Sequence, residues 1–317
     1  MIGITTRTYM GDSLSLPPVR LSHTGITMYE ECGFKYYLRY IEKFVSKNKG
    51  SALVFGTAID AGLNYLILNK DDLKGAMFRF DRKWSKQPDH TYKNVKIKGG
   101  KFVTYTKSNH SPELLTEADE RRLKDCPAVE LATWYSMRRK GHILIKAYHD
   151  HLLPQIGKVI SAQKMLTLTN AEGDVIVGVV DLIAELLDGR TALLDNKTSS
   201  IKYKDDSVRE SIQLAMYKWI MEETESVNIE ALGYMVVNKK LLKGGVAKTQ
   251  LIVDEVNDEI IEKTINRINA IVVKIKNKEF PQNKRSCRTF YGDCDYKKYC
   301  FNNKCMDDLI DMKKEKK

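Results

Sequence analysis

The residues best placed to do chemistry are two aspartates and a lysine. Asp181 follows the β-branched run Val175–Val180 and Asp195 follows Ala192–Leu194, with the turn signal Asp188-Gly189 between them. Fourteen positions separate the acids, which predicts adjacent strands that bring both carboxylates to one edge of a sheet. Lys197 stands two residues after Asp195, and side chains two apart on a strand share a face. Two carboxylates and an ammonium group suit a hard divalent cation, Mg2+ or Mn2+, held by oxygen ligands. Such a metal polarises a phosphate oxygen and lowers the pKa of a bound water, while the lysine positions that water or stabilises developing charge. Taken singly, an aspartate at a strand end is more often a turn former or a cap.

A second group of candidates is made of thiols. Six cysteines stand at 32, 126, 287, 294, 300 and 305, the last four spaced C-x6-C-x5-C-x4-C. In a reducing compartment such a cluster points to a metal or iron–sulfur site before disulfides. No C-x2-C knuckle is present for zinc, and one distant plus three local thiolates match an iron–sulfur cluster better. Reduced structural cysteines are the plainer alternative. Cys126, just before Pro127, reads as structural.

The elements that must position these groups follow from periodicity. Ser22 or Thr24 offers a cap for a helix bearing Ile26, Tyr29, Tyr36, Tyr37 and Tyr40. Further helices are predicted over Val54–Leu68, Leu73–Trp84 and 113–152, where His142, His149 and His151 fit a solvated face better than a second metal site. After Pro154 the pattern turns to strands, over Val159–Thr169, Val175–Val180 and Thr191–Leu194. A helix follows around Glu210–Glu223, then strands at Leu232–Asn238 and Gln250–Val253 and a helix over Val256–Lys278. The order predicts an α/β fold with one central mixed sheet flanked by helices, a helical N-terminal part and a Cys-rich C-terminal end. We divide the chain into an irregular lead-in (1–20), a helical region (21–153) with a basic insertion (79–107), a core (154–280), a Cys-rich segment (281–305) closing onto Cys32, and a flexible tail (306–317).

With 43% hydrophobic and 29% charged residues, the composition is that of a globular protein, not of a disordered chain. No stretch approaches the ~18 apolar residues of a membrane span. Asp12, Arg7 and Pro17-Pro18 interrupt the first twenty residues, so no secretory signal and a cytoplasmic location are expected. The net charge of +11 favours a polyanionic partner. Nine of the basic residues fall in 79–107 against two acids, interleaved with Phe80, Trp84, Tyr92, Phe102 and Tyr105. Charge for the backbone and rings for the bases is how single-stranded nucleic acid is held, which makes Lys83, Trp84, Lys93, Lys96, Lys98 and Lys101 candidate contacts. A solvated loop with core aromatics explains the segment equally well.

GVVDLI (178–183) followed by LLDNKTSS (193–200) resembles the core of the PD-(D/E)xK nuclease superfamily, in its RecB-like branch. IQLAMY (212–217), MYEECGFKYYLRY (28–40) and FGTAIDAGL (55–63) resemble that branch's helices, and CRTFYGDCDYKKYC (287–300) resembles the tail of its iron–sulfur members, of the AddB and CRISPR-associated exonuclease type. The resemblance implies a restriction-endonuclease-like core with Asp181 and Asp195 as metal ligands, joined by the backbone carbonyl of Asn196. It makes Lys197 the catalytic lysine and has Gln213 and Tyr217 support it or touch the nucleic-acid backbone. It further implies a 4Fe–4S cluster on Cys32, Cys287, Cys294 and Cys300, largely structural in role. Two departures stand out: Asp60 occupies a position where the family often carries a metal-ligating His, and Gln163 is the nearest candidate where a Glu often stands. Cys305 is a spare thiol.

The expected activity is a Mg2+- or Mn2+-dependent DNA exonuclease on ends or single strands, leaving a 5′-phosphate, in recombination, repair or phage DNA processing. Any helicase or recombination partner would be a separate chain, since helicase motifs are absent from this one. The alternatives are a catalytically eroded DNA-binding or assembly module of the same fold, and a nuclease directed at RNA or serving defence.

Overall fold

The computed structural model describes residues 18–47, 51–84, 128–225, 227–255, 257–289 and 292–314. In chain order the elements are β1 (Arg20–Ser22), α1 (His23–Glu31), α2 (Gly33–Tyr36), a π-helical turn (Tyr37–Ile41), β2 (Phe44–Ser46), α3 (Ser51–Leu68), α4 (Leu73–Trp84) and α5 (Ala128–His151). There follow β3 (Ile156–Thr169), β4 (Val175–Leu186), β5 (Thr191–Ser199), α6 (Ile212–Thr224), β6 (Ala231–Asn238), β7 (Thr249–Glu255) and α7 (Asp258–Lys276). The C-terminal part holds β8 (Arg288–Thr289), β9 (Gly292–Asp293), α8 (Lys297–Phe301) and β10 (Leu309–Asp311).

Local chemistry sets the helix starts. Ser22 caps α1 by accepting from the Gly25 N–H, and Ser211 caps α6 by accepting from the Leu214 N–H at 3.1 Å. Asn257 caps α7, whose first turn carries Asp258 and Glu259 and whose last carries Lys274 and Lys276, both matched to the helix dipole. The β3–β4 turn is tied by Asn170, whose Oδ1 accepts from the N–H groups of Glu172 and Asp174.

The sheet is mixed, with helices on both faces. β3 and β4 pair antiparallel along nearly their whole length. The other edge of β4 is shared: β1 lies parallel to Val175–Val177, and β5 lies antiparallel to Leu182–Glu185. β6 runs parallel to β5, and β7 antiparallel to β6. One apolar layer packs α3, α4 and α5 on the sheet through residues such as Ile59, Leu144 and Leu194. The other packs α1, α6 and α7 through residues such as Ile26, Leu214 and Ile268. Ile176 and Val180 of β4 face the second layer, whereas Leu182, Ala184 and Leu186 face the first, so its alternation changes phase at Asp181. Opposite this point Gln163 has φ +53°, a left-handed conformation uncommon for a non-glycine residue.

Several expectations need correction. Asp181 and Asp195 lie within β4 and β5, not at their ends, because both strands run on past the apolar runs visible in the sequence. Trp84 is no nucleic-acid contact: it is 1% exposed, stacked on Phe80 and edge-on to Phe55 in the first apolar layer. His142 is not on a solvated face, since its Nε2 lies 2.8 Å from Asp81 Oδ1, where Arg138 also binds Asp81 through two N–H groups. Part of the expected tail is ordered: β10 pairs antiparallel with β2, and Met312 N–H donates to the Lys43 carbonyl. Lys93, Lys96, Lys98, Lys101, Cys126 and the first part of the 113–152 helix lie outside the described residues. Among the described residues no helix is long and apolar enough to cross a membrane.

Candidate active site

The shared edge of β4 builds the site. β1 stops pairing at Val177 and β5 begins at Leu182, so residues 178–181 lie in a fork between two partners. Asp181 projects into that fork. Its Oδ2 accepts the backbone N–H of Asn196 at 2.8 Å and its Oδ1 accepts from Gln163 Nε2 at 2.9 Å. Gln163 also donates to Asn64 Oδ1 on α3, so its exposed side chain ties β3, β4 and α3 together.

Asp195 lies on the α6 side of β5 and is 3% exposed. Its Oδ1 accepts from Gln213 Nε2 at 2.7 Å, and its Oδ2 lies 2.6 Å from Lys197 Nζ. Lys197 Nζ donates in turn to Gln213 Oε1 at 2.7 Å and sits over the Tyr234 ring. Gln213 thus reads both partners, carbonyl to the ammonium and amide to the carboxylate, and reaches the Tyr217 hydroxyl one helical turn on at 3.0 Å. Tyr217 packs on Gly178, where a Cβ would come within 2.3 Å of its ring, so only glycine allows this approach. On the opposite side of β5, the Tyr148 hydroxyl donates to Asn196 Oδ1 at 2.8 Å and fixes the residue between the acid and the lysine.

The electrostatics are those of a pocket short of positive charge. Burial raises the Asp181 carboxyl above the usual range, against its hydrogen bonds from Asn196 and Gln163. Burial pushes Asp195 up to about 6, with Lys197 opposing and Asp181 reinforcing the shift. Asp60, on α3, opens to solvent from a crowded recess; desolvation and then Asp181 and Asp195 push it up to about 7. Lys197 is raised: burial alone would lower it, but the Asp195 charge outweighs burial. His23, at the start of α1, was not a candidate from the sequence. Burial first and then Lys197 lower it to about 4, which places it at the edge of the same field. Neither His23 nor Tyr148 carries a sequence signal, because both become relevant only when distant segments meet.

Asp181, Asp195 and Asn196 fit a divalent cation. Their oxygens are hard donors, and Asp195 Oδ2 is buried without a well-aligned hydrogen bond despite its closeness to Lys197. Asp60 is near enough for its charge to be felt. Among the described residues, however, no set of three or more His, Cys, Asp or Glu side chains is gathered to hold a metal.

The same holds for the cysteines. Cys32, Cys287, Cys294 and Cys300 are half-buried free thiols. Burial and then Cys294, Cys287 and Cys32 push the Cys300 thiol up to about 11, so the four share a neighbourhood without forming a ligand set. No iron–sulfur site is evident from their arrangement. The shifts of Cys294 and Cys300 come from burial and from neighbours other than Cys305. The chain ends meet through other contacts: Tyr29 donates to the Glu279 carbonyl, Phe34 N–H to the Pro281 carbonyl, and Asn283 Nδ2 to the Glu31 carbonyl. Of the nucleic-acid candidates on α4, Lys83 is exposed and Trp84 is buried.

Of solved structures, a crystal structure described as "Putative exonuclease" from Eubacterium rectale is similar at 12% identity and a TM-score of 0.46, covering 89% of this chain and 90% of that one. The protein SSO0001 is similar at 17% identity and a TM-score of 0.31, over 60% of this chain and 79% of that one. No curated protein matches the chain. The family model for the PD-(D/E)XK nuclease superfamily matches residues 20–301, which spans the fork, both acids, the lysine and α6. The chain belongs to the PD-(D/E)XK nuclease superfamily.

Proposed function

We propose that the protein is a metal-dependent deoxyribonuclease of the RecB-like branch, acting as an exonuclease on DNA ends or single strands. The observation that carries this reading is the Asp195–Lys197–Gln213 triangle beside Asp181, at the fork in the sheet. Members of this superfamily generally use divalent metals, and a nuclease fold implies a nucleic-acid substrate. Asp181, Asp195 and the Asn196 carbonyl would hold Mg2+ or Mn2+, which supplies Lewis-acid activation of the phosphodiester and of water.

The protein's own groups divide the remaining work. Lys197 keeps its proton because Asp195 stabilises the ammonium, so it acts as a fixed positive charge beside the scissile phosphate. Gln213 holds that charge in place by accepting from Nζ, and it keeps Asp195 oriented by donating to Oδ1. Tyr148 positions Asn196 and Gln163 positions Asp181. Asp60 and Gln163 stand at the solvent-facing mouth through which a phosphate enters.

The mutual nearness of Cys32, Cys287, Cys294 and Cys300 supports a 4Fe–4S cluster at the junction of the chain ends, as in the iron–sulfur members of that branch. Cytoplasmic DNA recombination, repair or phage DNA processing is the setting we infer.

The test is cleavage of end-labelled single-stranded, duplex and circular DNA with Mg2+ or Mn2+, beside Lys197→Ala. Degradation of linear DNA, sparing of circles and loss in the variant are expected. Cleavage of circles would replace the exonuclease by an endonuclease, and preference for RNA would replace the DNA assignment. No cleavage with any metal would leave a binding module.

A further inference from the structure

The two ends of a single helix face lead away from the catalytic acids to an uncompensated pair of lysines. Lys140, Leu144 and Tyr148 recur at i, i+4 and i+8 on α5, hence on one face. Tyr148 reaches Asn196 behind the acids, Leu144 is buried, and Lys140 lies about 12 Å further along the axis at 1.5 Å per residue. The sheet leads to the same place. Ser199 stands three residues beyond Asn196 on β5, roughly 10 Å along the strand. It is in register with Asn238 of β6, and its carbonyl accepts the Lys239 N–H at 2.6 Å.

Lys140 and Lys239 are both half-buried. Tyr148 also lies 3.3 Å from Met235 Sδ on β6, Leu144 and Val237 share the first apolar layer, and Lys140 and Lys239 follow in step along the helix and the strand. In keeping with this, burial and then the charge of Lys140 lower the Lys239 ammonium's pKa. Neither takes part in an ion pair among the described residues, and the same is true of Lys240 and Lys243 on the following loop. That loop is held firm: Leu242 N–H donates to the Val246 carbonyl at 2.8 Å, and Ala247 is anchored in the first apolar layer. Lys240 and Lys243 are exposed on it. Two half-buried lysines with no ion-pair partner are costly in the free protein and are relieved by an anion.

We propose that Lys140 and Lys239 form a phosphate site for the substrate strand, about three residues of strand beyond Asn196, with Lys240 and Lys243 extending the track along the β6–β7 loop. This rests on the nuclease reading and adds where the strand runs. It adds a contact surface at the end of the sheet to the candidates of the 79–107 segment. The ligand chemistry is a phosphodiester, and a free phosphate or mononucleotide is the other source of the same group.

The test is binding of a fluorescein-labelled single-stranded oligonucleotide to the full chain in EDTA, across a salt series, for the native protein and for Lys140→Ala/Lys239→Ala. Two lost phosphate contacts should reduce the slope of log K against log salt by roughly 1.4 and weaken binding about tenfold or more at low salt. Lys140→Arg/Lys239→Arg should restore both, which separates lost charge from lost fold. With metal present, the alanine pair should raise KM and leave kcat unchanged. An unchanged slope and affinity in the alanine pair would overturn the site. Displacement of the oligonucleotide by millimolar inorganic phosphate would overturn the strand track in favour of a small-anion site. Cleavage by the native protein in the same assays keeps the two readings apart: no cleavage with any metal sinks the nuclease, whereas retained binding in the alanine pair sinks only this inference.

Discussion

Asn196 donates its backbone N–H to Asp181 Oδ2 at 2.8 Å, at the point where β4 and β5 stop pairing with one another. The bond takes the place of the ladder hydrogen bond that would follow Leu182 and Leu194, so one strand's acid is held by the other strand's backbone. It fixes Asp181 against the backbone next to Asp195, whose side chain is held from the α6 side. The fork therefore preorganises charge that is unfavourable in the free protein and useful once a cation and a phosphate arrive.

Lys197→Ala and Asp195→Asn should both fold and fail to cleave. Lys197 sits between Asp195 Oδ2 and Gln213 Oε1, and removing a preorganised charge of this kind costs roughly a hundred- to a thousand-fold in kcat. Gln213→Ala should cost less, since the lysine would keep its carboxylate while losing its angle. Single-turnover cleavage separates the three. A Lys197→Ala protein that retains native kcat would remove the lysine from the mechanism.

The sequence carried the parts of this site that are local. Asp195 and Lys197 share a face because a strand alternates, and Gln213 and Tyr217 share one because a helix turns; both relations hold in the structure. The change of phase at Asp181 was not legible, since it depends on where β1 ends and β5 begins against the same edge of β4. The burial of Trp84 was not legible for a related reason. Its basic neighbours suggested a surface, but Phe55 and Phe80 on packed helices enclose it. Tyr148 and His23 carried no signal at all, because their partners lie dozens of residues away in sequence.

Gly178→Ala should destabilise the protein and disturb the site from behind. The added methyl would meet the Tyr217 ring at 2.3 Å, and overpacking of this kind costs about 1–3 kcal/mol. Tyr217 accepts from Gln213 Nε2, so its displacement also loosens the amide that holds Lys197. The double variant Gly178→Ala/Tyr217→Leu should recover stability without recovering full activity. Urea unfolding and kcat measured on the same samples decide it, and an unaltered midpoint in Gly178→Ala would count against the contact.

Gln163→Glu should weaken the metal-free protein. The amide donates to Asp181 Oδ1 and Asn64 Oδ1, each at 2.9 Å, and a carboxylate can donate to neither at neutral pH. It would add a like charge beside an acid already raised by burial. The melting temperature is expected to fall in EDTA and to recover with Mn2+ by more than the native protein's does. Equal responses to Mn2+ in the two proteins would place Gln163 outside the cation's field.

Stability should fall on acidification through a window set in part by His23. Its folded pKa is about 4, depressed by burial and by Lys197, against 6.5 for the free side chain. The unfolded chain therefore binds a proton that the folded one does not between these values. The contribution is complete above about pH 6.5 and is lost as pH falls towards 4, with a slope approaching 1.4 kcal/mol per pH unit. The difference between native and His23→Gln unfolding free energies should carry this slope over that window and flatten above it. A difference independent of pH would show that His23 is not enclosed beside Lys197.

Cys32, Cys287, Cys294 and Cys300 should behave as a group from which Cys305 is excluded. The Cys300 thiol is pushed up by burial and by the other three, so in the metal-free protein it resists deprotonation beside them. A bound cluster would reverse that balance by stabilising the thiolates. Serine at any of the four should abolish visible absorbance after anaerobic purification, and Cys305→Ser should leave it intact. The clasp between the chain ends rests on Tyr29, Phe34 and Asn283 hydrogen bonds as well as on the thiols. Loss of the cluster should therefore lower the melting temperature without unfolding the nuclease core, and Cys32→Ser should keep the native far-ultraviolet circular dichroism. Zinc in place of iron in an otherwise native preparation would assign the same thiols to a different metal.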